Sequence, residues 1–177
     1  MGELGYAAAS IARITQAADV AHGAFYLHFQ SRQDLFDVLL PTLGQAMMAA
    51  IGKAIAKSAG IEELERRGMQ ANVGYLVRHR GLYRVLYEAP EYAPKAYEAH
   101  LAALRAAYVR SLCRSRDEGE IAAFADEELE TLAMMLMGAR FYLMAQCWNG
   151  HRMRHLTDME LGLYARFACA GLSVARG

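Results

Sequence analysis

With 177 residues, 55% of them hydrophobic, and only three prolines, the chain has apolar material for a substantial core and little composition suited to disorder. Nineteen Lys and Arg balance nineteen Asp and Glu, so the formal net charge is zero; this excludes a whole-molecule polyanion binder and confines any nucleic-acid contact to a local patch. Abundant Ala, Leu and Met favours helices over strands, and the expected class is all-α.

In chain order, Ile11, Ile14, Ala17 and Ala18 recur at helical spacing, Val20 falls in a turn, and Phe25 with Phe29 continues the apolar face, as in a small packed helical pair. His22, Gly23, Ala24, Tyr26, Leu27 and His28 point elsewhere, where the second helix of a helix-turn-helix would face a major groove. Ser31 to Asp34 is a capping box that opens a helix through Leu35, Leu39, Leu43, Met47 and Ile51, with Pro41 predicting a bend or break near Leu40. Ile61 to His79 reads as a helix, Gly81 interrupts, and Leu82 to Glu88 makes a short one. Pro94 at a first helical position and Gly119 past the end bracket the next helix. Asp126, Glu127 and Glu128 open a helix to about Asn149, and a second capping box at Thr157 to Glu160 opens the last, to about Arg176. That is roughly eight helices and no strands.

At Gly5, Tyr6, Ser10, Ile11, Ile14, Ala18, Val20, Gly23, Phe25, Tyr26, His28, Phe29, Ser31 and Leu35 the sequence resembles the DNA-binding domain of the tetracycline-repressor (TetR/AcrR) family of bacterial transcription regulators. The resemblance implies that Ser10 and Arg13 face backbone or groove from the first helix, that His22, Ala24 and Leu27 lie nearest base edges, and that Tyr26, His28 and Arg32 contact phosphates. Gly23 would let the backbone approach the sugar-phosphate wall. Ala9, Asp19 and Ala21 depart from the family's usual Thr, Gly and Ser; losing the Ser cap costs about 0.5 to 2 kcal/mol. The family's first helix is expected to be truncated here, with Glu3 to Tyr6 as its end, so residues 1–40 form the DNA-binding unit and 41–177 an effector-binding and dimerisation domain. Residues 1–40 hold Arg13 and Arg32 against Glu3, Asp19, Asp34 and Asp37, a poor electrostatic anchor for DNA.

The implied function is a ligand-responsive regulator, a repressor that binds a palindromic double-stranded operator as a homodimer and is released by a small molecule. The alternative is a helical ligand- or partner-binding dimer that has lost DNA binding. Dimerisation is expected through the last two helices, along Leu129, Leu132, Ala133, Leu136, Ala139, Arg140 and Leu143 and along Leu161, Tyr164, Ala168 and Leu172. Tyrosines and bases between Tyr75 and Tyr108 suit an apolar cavity with a few orienting polar groups: Tyr75, Arg78, His79, Tyr83, Tyr87, Tyr97 and His100, with Met144. The run loosely resembles regulators of acyl-thioester catabolism, implying an acyl-thioester or other hydrophobic anion held by Arg78 or Arg84.

Enzymatic readings lack support. His151 and His155 have metal-ligand spacing but no third ligand in register, and no nucleophile elbow, phosphate loop or dinucleotide fingerprint is present. Neither metal nor cofactor is expected. Cys113, Cys147 and Cys169 are odd in number and far apart, which suits free thiols in a reducing cytoplasm. The apolar run from Leu132 to Trp148, cut by Arg140, is too interrupted to cross a membrane.

Overall fold

The computed structural model describes Gly2 and residues 5–173. Among these residues there are nine helices and no strand: α1 (Gly5–Ala8), α2 (Ile11–Ala17), α3 (His22–Phe25), α4 (Arg32–Ile55), α5 (Ile61–Arg78), α6 (Leu82–Tyr92), α7 (Pro94–Asp117), α8 (Asp126–Cys147) and α9 (Asp158–Leu172). The all-α class stands. Glu3, Leu4 and the expected end near Arg176 lie outside the described residues.

Local chemistry sets most boundaries. Ser10 and Ser31 accept from the backbone N–H groups of Arg13 and Asp34, at 3.3 and 3.1 Å. Thr157 and Glu160 cap α9 reciprocally, the Thr157 hydroxyl accepting from the Glu160 N–H and the Glu160 carboxylate from the Thr157 N–H. Two elements differ from expectation. α4 runs without a break through Pro41, because both sides of the proline are held by packing: Leu40 is fully buried and Met47 lies in the main core. α6 continues past Glu88 to Tyr92 and takes up Pro90, since its far end is clamped between Ala89 and Ala93, both fully buried.

Two cores result. The main one unites α4, α5, α7, α8 and α9 around Met69, Leu112, Leu129, Ala133 and Leu172. The smaller one joins the N-terminal helices to the body: Tyr6, Phe36 and Leu40 pack with Val85, Ala89, Ala93 and Ala96. Tyr6 meets Phe36 edge-on at 4.2 Å and stacks on Tyr92 at 5.6 Å, and its N–H donates to Glu88 at 2.7 Å. Burial and the neighbouring Glu88 push the Tyr6 phenol up to about 12. The expected boundary at residue 40 is therefore no gap in packing: α4 runs through it and α6 contributes to both cores. α4 is also long and apolar enough, by length and composition, to cross a membrane, whereas the expectation from sequence concerned only the Leu132 to Trp148 run.

The last two helices depart from the expected dimer stripes. Leu129, Ala133, Leu136 and Arg140 on α8, and Leu161, Tyr164, Ala168 and Leu172 on α9, face their own subunit's core and are 8% exposed or less. The opposite faces are open: Met135 (66% exposed) and Tyr142 (69%) on α8, Leu163 (55%) and Phe167 (65%) on α9. Both faces of α8 are apolar, so periodicity alone could not choose between them.

Candidate nucleic-acid interface and effector cavity

α2 and α3 pack against each other; Phe25 on α3 is buried and lies against Phe29 at 5.4 Å, and Thr15 on α2 is buried with its hydroxyl donating to the Ile11 carbonyl at 3.0 Å. The connecting turn carries Asp19 at φ 55°, a left-handed conformation that glycine adopts without strain. Ala17 and Ala18, expected on the packed face, are exposed, as is Val20 in the turn, and the packed face resumes at Phe25. Ala21 caps α3 without a side-chain acceptor, and α3 spans only four residues.

The outward set is presented together. His22, Gly23, Tyr26, Leu27 and His28 are exposed, Leu27 to 80%, and Ala24 is half-buried. His22 and Tyr26 lie edge to face at 5.9 Å. A side chain added at Gly23 would meet nothing of this chain within 4 Å, so the backbone there is open to approach from outside.

Arg32 also has a role within the subunit. Its Nη1 donates to the carbonyls of Tyr6, Ala7 and Ala9 at 3.4 to 3.5 Å and its guanidinium lies over the Phe36 ring at 5.5 Å, at the end of α1. Arg32→Ala is expected to cost about 1 kcal/mol of stability with no DNA present, read by urea unfolding; an unchanged midpoint would mean that these contacts contribute nothing. Arg13, by contrast, is exposed and makes a single side-chain bond, to the Ala8 carbonyl at 3.2 Å.

The body holds two adjoining cavities of about 430 and 310 Å³, within the range of small-molecule sites. They share Asn72, Leu104, Phe141 and Met144 as common walls. Tyr83, Tyr87, Tyr97 and His100 line the smaller cavity, and Met144 lines both. Tyr75, Arg78 and His79 line neither. They sit at the end of α5, where Tyr75 stacks on His79 at 4.0 Å and both Arg78 and His79 are exposed. Arg84 is also outside, paired with Glu88 at 3.0 Å on the side of α6 facing the N-terminal helices.

Three arginines line the larger cavity, Arg110 and Arg114 exposed and Arg140 buried, the last of which the sequence pattern placed on a dimer stripe. Arg140 Nη2 lies 2.8 Å from Glu65 Oε2, with Glu65 fully buried. Tyr108 and Tyr164 each donate to the same carboxylate, at 2.6 and 2.7 Å, and Arg140 Nε donates to the Tyr164 hydroxyl at 2.8 Å. Four helices are thereby tied at one point. Burial alone would raise the Glu65 carboxyl, but Arg140 and the two phenols outweigh it and hold it below its ordinary value. The readable signal was positional: Glu65 and Arg140 stand in register with buried apolar neighbours, where a charge demands a partner.

His151 and His155 are exposed in the loop before α9, and among the described residues no three potential metal ligands gather. The three cysteines are free, and burial pushes the Cys169 thiol up to about 11, far from a reactive thiolate.

Residues 1–39 match the family model described as bacterial regulatory proteins, tetR family. No curated protein matches the sequence. Among solved structures, the chain is similar to the TetR family transcriptional regulator PfmR from Thermus thermophilus (TM-score 0.67, 18% identity, covering 98% of this chain and 93% of that one). It is likewise similar to a tetR-family regulatory protein from Rhodococcus (0.68, 17%, 96% and 89%). A third is the ketosteroid transcriptional regulator KstR2 of Mycobacterium tuberculosis (0.63, 18%, 97% and 88%). At these identities the likeness is one of fold.

Proposed function

We infer, from a chain whose first 39 residues belong to the tetR family and whose whole length carries the fold of its regulators, a DNA-binding transcriptional regulator that responds to a small molecule. It acts as a cytoplasmic homodimer on a roughly palindromic operator and represses until an effector fills the body cavities. The observation that carries the reading is the exposed set around α3, where Tyr26, Leu27 and His28 project beside Gly23, whose backbone is open to solvent. Tyr26 and His28 would hold phosphates, and His22, Ala24 and Leu27 would approach base edges, with Ser10 and Arg13 alongside.

α6 supplies the link between the two ends. Tyr83, Tyr87 and Pro90 form part of the smaller cavity's wall, while Val85 and Ala89 pack on Tyr6 and Phe36, and Glu88 accepts from the Tyr6 N–H. A ligand that displaces α6 therefore moves the surface on which the N-terminal helices rest.

The test is operator selection from random duplexes, followed by titration of variants. Tyr26→Phe is expected to weaken binding about fivefold on every sequence alike, the loss of one hydrogen bond. Leu27→Ala is expected to change base preference instead. A shift in preference with Tyr26→Phe, or no selectable operator, would overturn the assignment.

A further inference from the structure

The two cavities are built for an uncharged ligand. The charged side chain reaching the larger one from the interior, Arg140, is already matched by Glu65 at 2.8 Å, with two phenols completing the carboxylate's shell. A second anion beside that pair would compete with Glu65 for the same guanidinium. In the smaller cavity, His100 is 4% exposed and burial keeps its imidazole neutral. Arg110 and Arg114 do border the larger cavity, but both are exposed, so their charges are answered by water.

Among the described residues four buried side-chain polar atoms have no hydrogen-bond partner, on Tyr6, Ser58, Asn72 and Ser111, and the last two border the cavities. Asn72 is 5% exposed and lines both cavities, and its Oδ1 has no partner among the described residues. Ser111, bordering the larger cavity, has a buried Oγ in the same condition. Buried polar atoms without partners are costly, and a group that satisfies them on binding recovers that cost as affinity. A hydroxyl suits both, since it donates its one hydrogen to the Asn72 carbonyl oxygen and accepts from the serine hydroxyl.

Resting on the reading of these cavities as an effector site, we propose that the effector is a neutral, apolar molecule carrying a hydroxyl that Asn72 and Ser111 bind, rather than a hydrophobic anion. Its apolar body lies against Leu104, Phe141 and Met144, the walls common to both cavities.

Three matched fluorescent probes separate the possibilities on the full chain without DNA: pyrenebutanol, pyrenebutyrate and butylpyrene. The expected order places pyrenebutanol roughly tenfold tighter than either of the others. Asn72→Leu, which keeps the branching and the number of side-chain heavy atoms but has no polar group, is expected to remove the advantage of the alcohol over butylpyrene while leaving butylpyrene bound. Ser111→Ala, on a half-buried position, serves as a milder second variant and is expected to narrow the same gap. Pyrenebutyrate binding as tightly as the alcohol, or an alcohol preference that survives both variants, overturns the proposal while leaving the cavity a ligand site. Failure of all three probes to bind removes the effector reading and this proposal together.

Discussion

Glu65→Gln is expected to lower the free energy of unfolding by about 3 kcal/mol, because it leaves the Arg140 guanidinium buried with no counter-charge. The wild-type carboxylate accepts from Arg140, Tyr108 and Tyr164, which reach it from α8, α7 and α9, so its loss loosens four helices at once. Urea unfolding at a fixed protein concentration reads the change, the concentration being held because the midpoint of the proposed dimer depends on it. The double variant Glu65→Gln with Arg140→Met is expected to recover part of the loss, since a methionine fills the space without a charge. A loss below about 1 kcal/mol for Glu65→Gln would mean that water or movement of the side chains satisfies Arg140 instead. The pH dependence has a definite sign. The folded-state carboxyl lies below its ordinary value of 4.5, so its contribution is fully present above that value and is lost as the pH falls toward the depressed one. Acid should therefore separate wild type from Glu65→Gln less and less, the two curves converging as Glu65 takes up its proton.

In the proposed homodimer, Phe167→Glu is expected to raise the dissociation constant about 100-fold or more and to abolish operator binding with it. Phe167 and Leu163 on α9, and Met135 and Tyr142 on α8, are apolar side chains that no described part of the subunit covers. A specific interface buries about 800 Å² on each partner, and a carboxylate in its centre has no counter-charge to meet. Phe167 is 65% exposed within the subunit, so the variant monomer should unfold as the wild type does at matched association state. Loss of DNA binding follows from geometry: a two-fold assembly holds two α3 surfaces one helical turn apart or a multiple of it, and a monomer grips a single half-site. Sedimentation across a concentration series measures the first effect and a gel-shift titration the second. A variant that still dimerises at wild-type concentrations would place the subunit contact elsewhere.

The sequence alone determined where most helices begin and end. Ser10, Ser31 and Thr157 cap, Pro94 starts and Gly119 stops, each by interactions reaching no more than four residues along the chain. The pairing of α2 with α3 was legible for the same reason, the two helices being joined by a turn of a few residues. Tertiary structure decided everything that depends on a distant neighbour. It turned Leu129 and Tyr164 inward and left Met135 and Phe167 outside, because α8 is apolar on both faces and only the position of the other helices selects one. It joined Glu65 to Arg140 across 75 residues, placed Arg32 against the carbonyls at the end of α1, and set α6 between the cavity and the N-terminal helices. Periodicity records that a residue is apolar or charged; which partner it meets is a property of the packed chain, since side chains far apart in sequence compete for the same buried space.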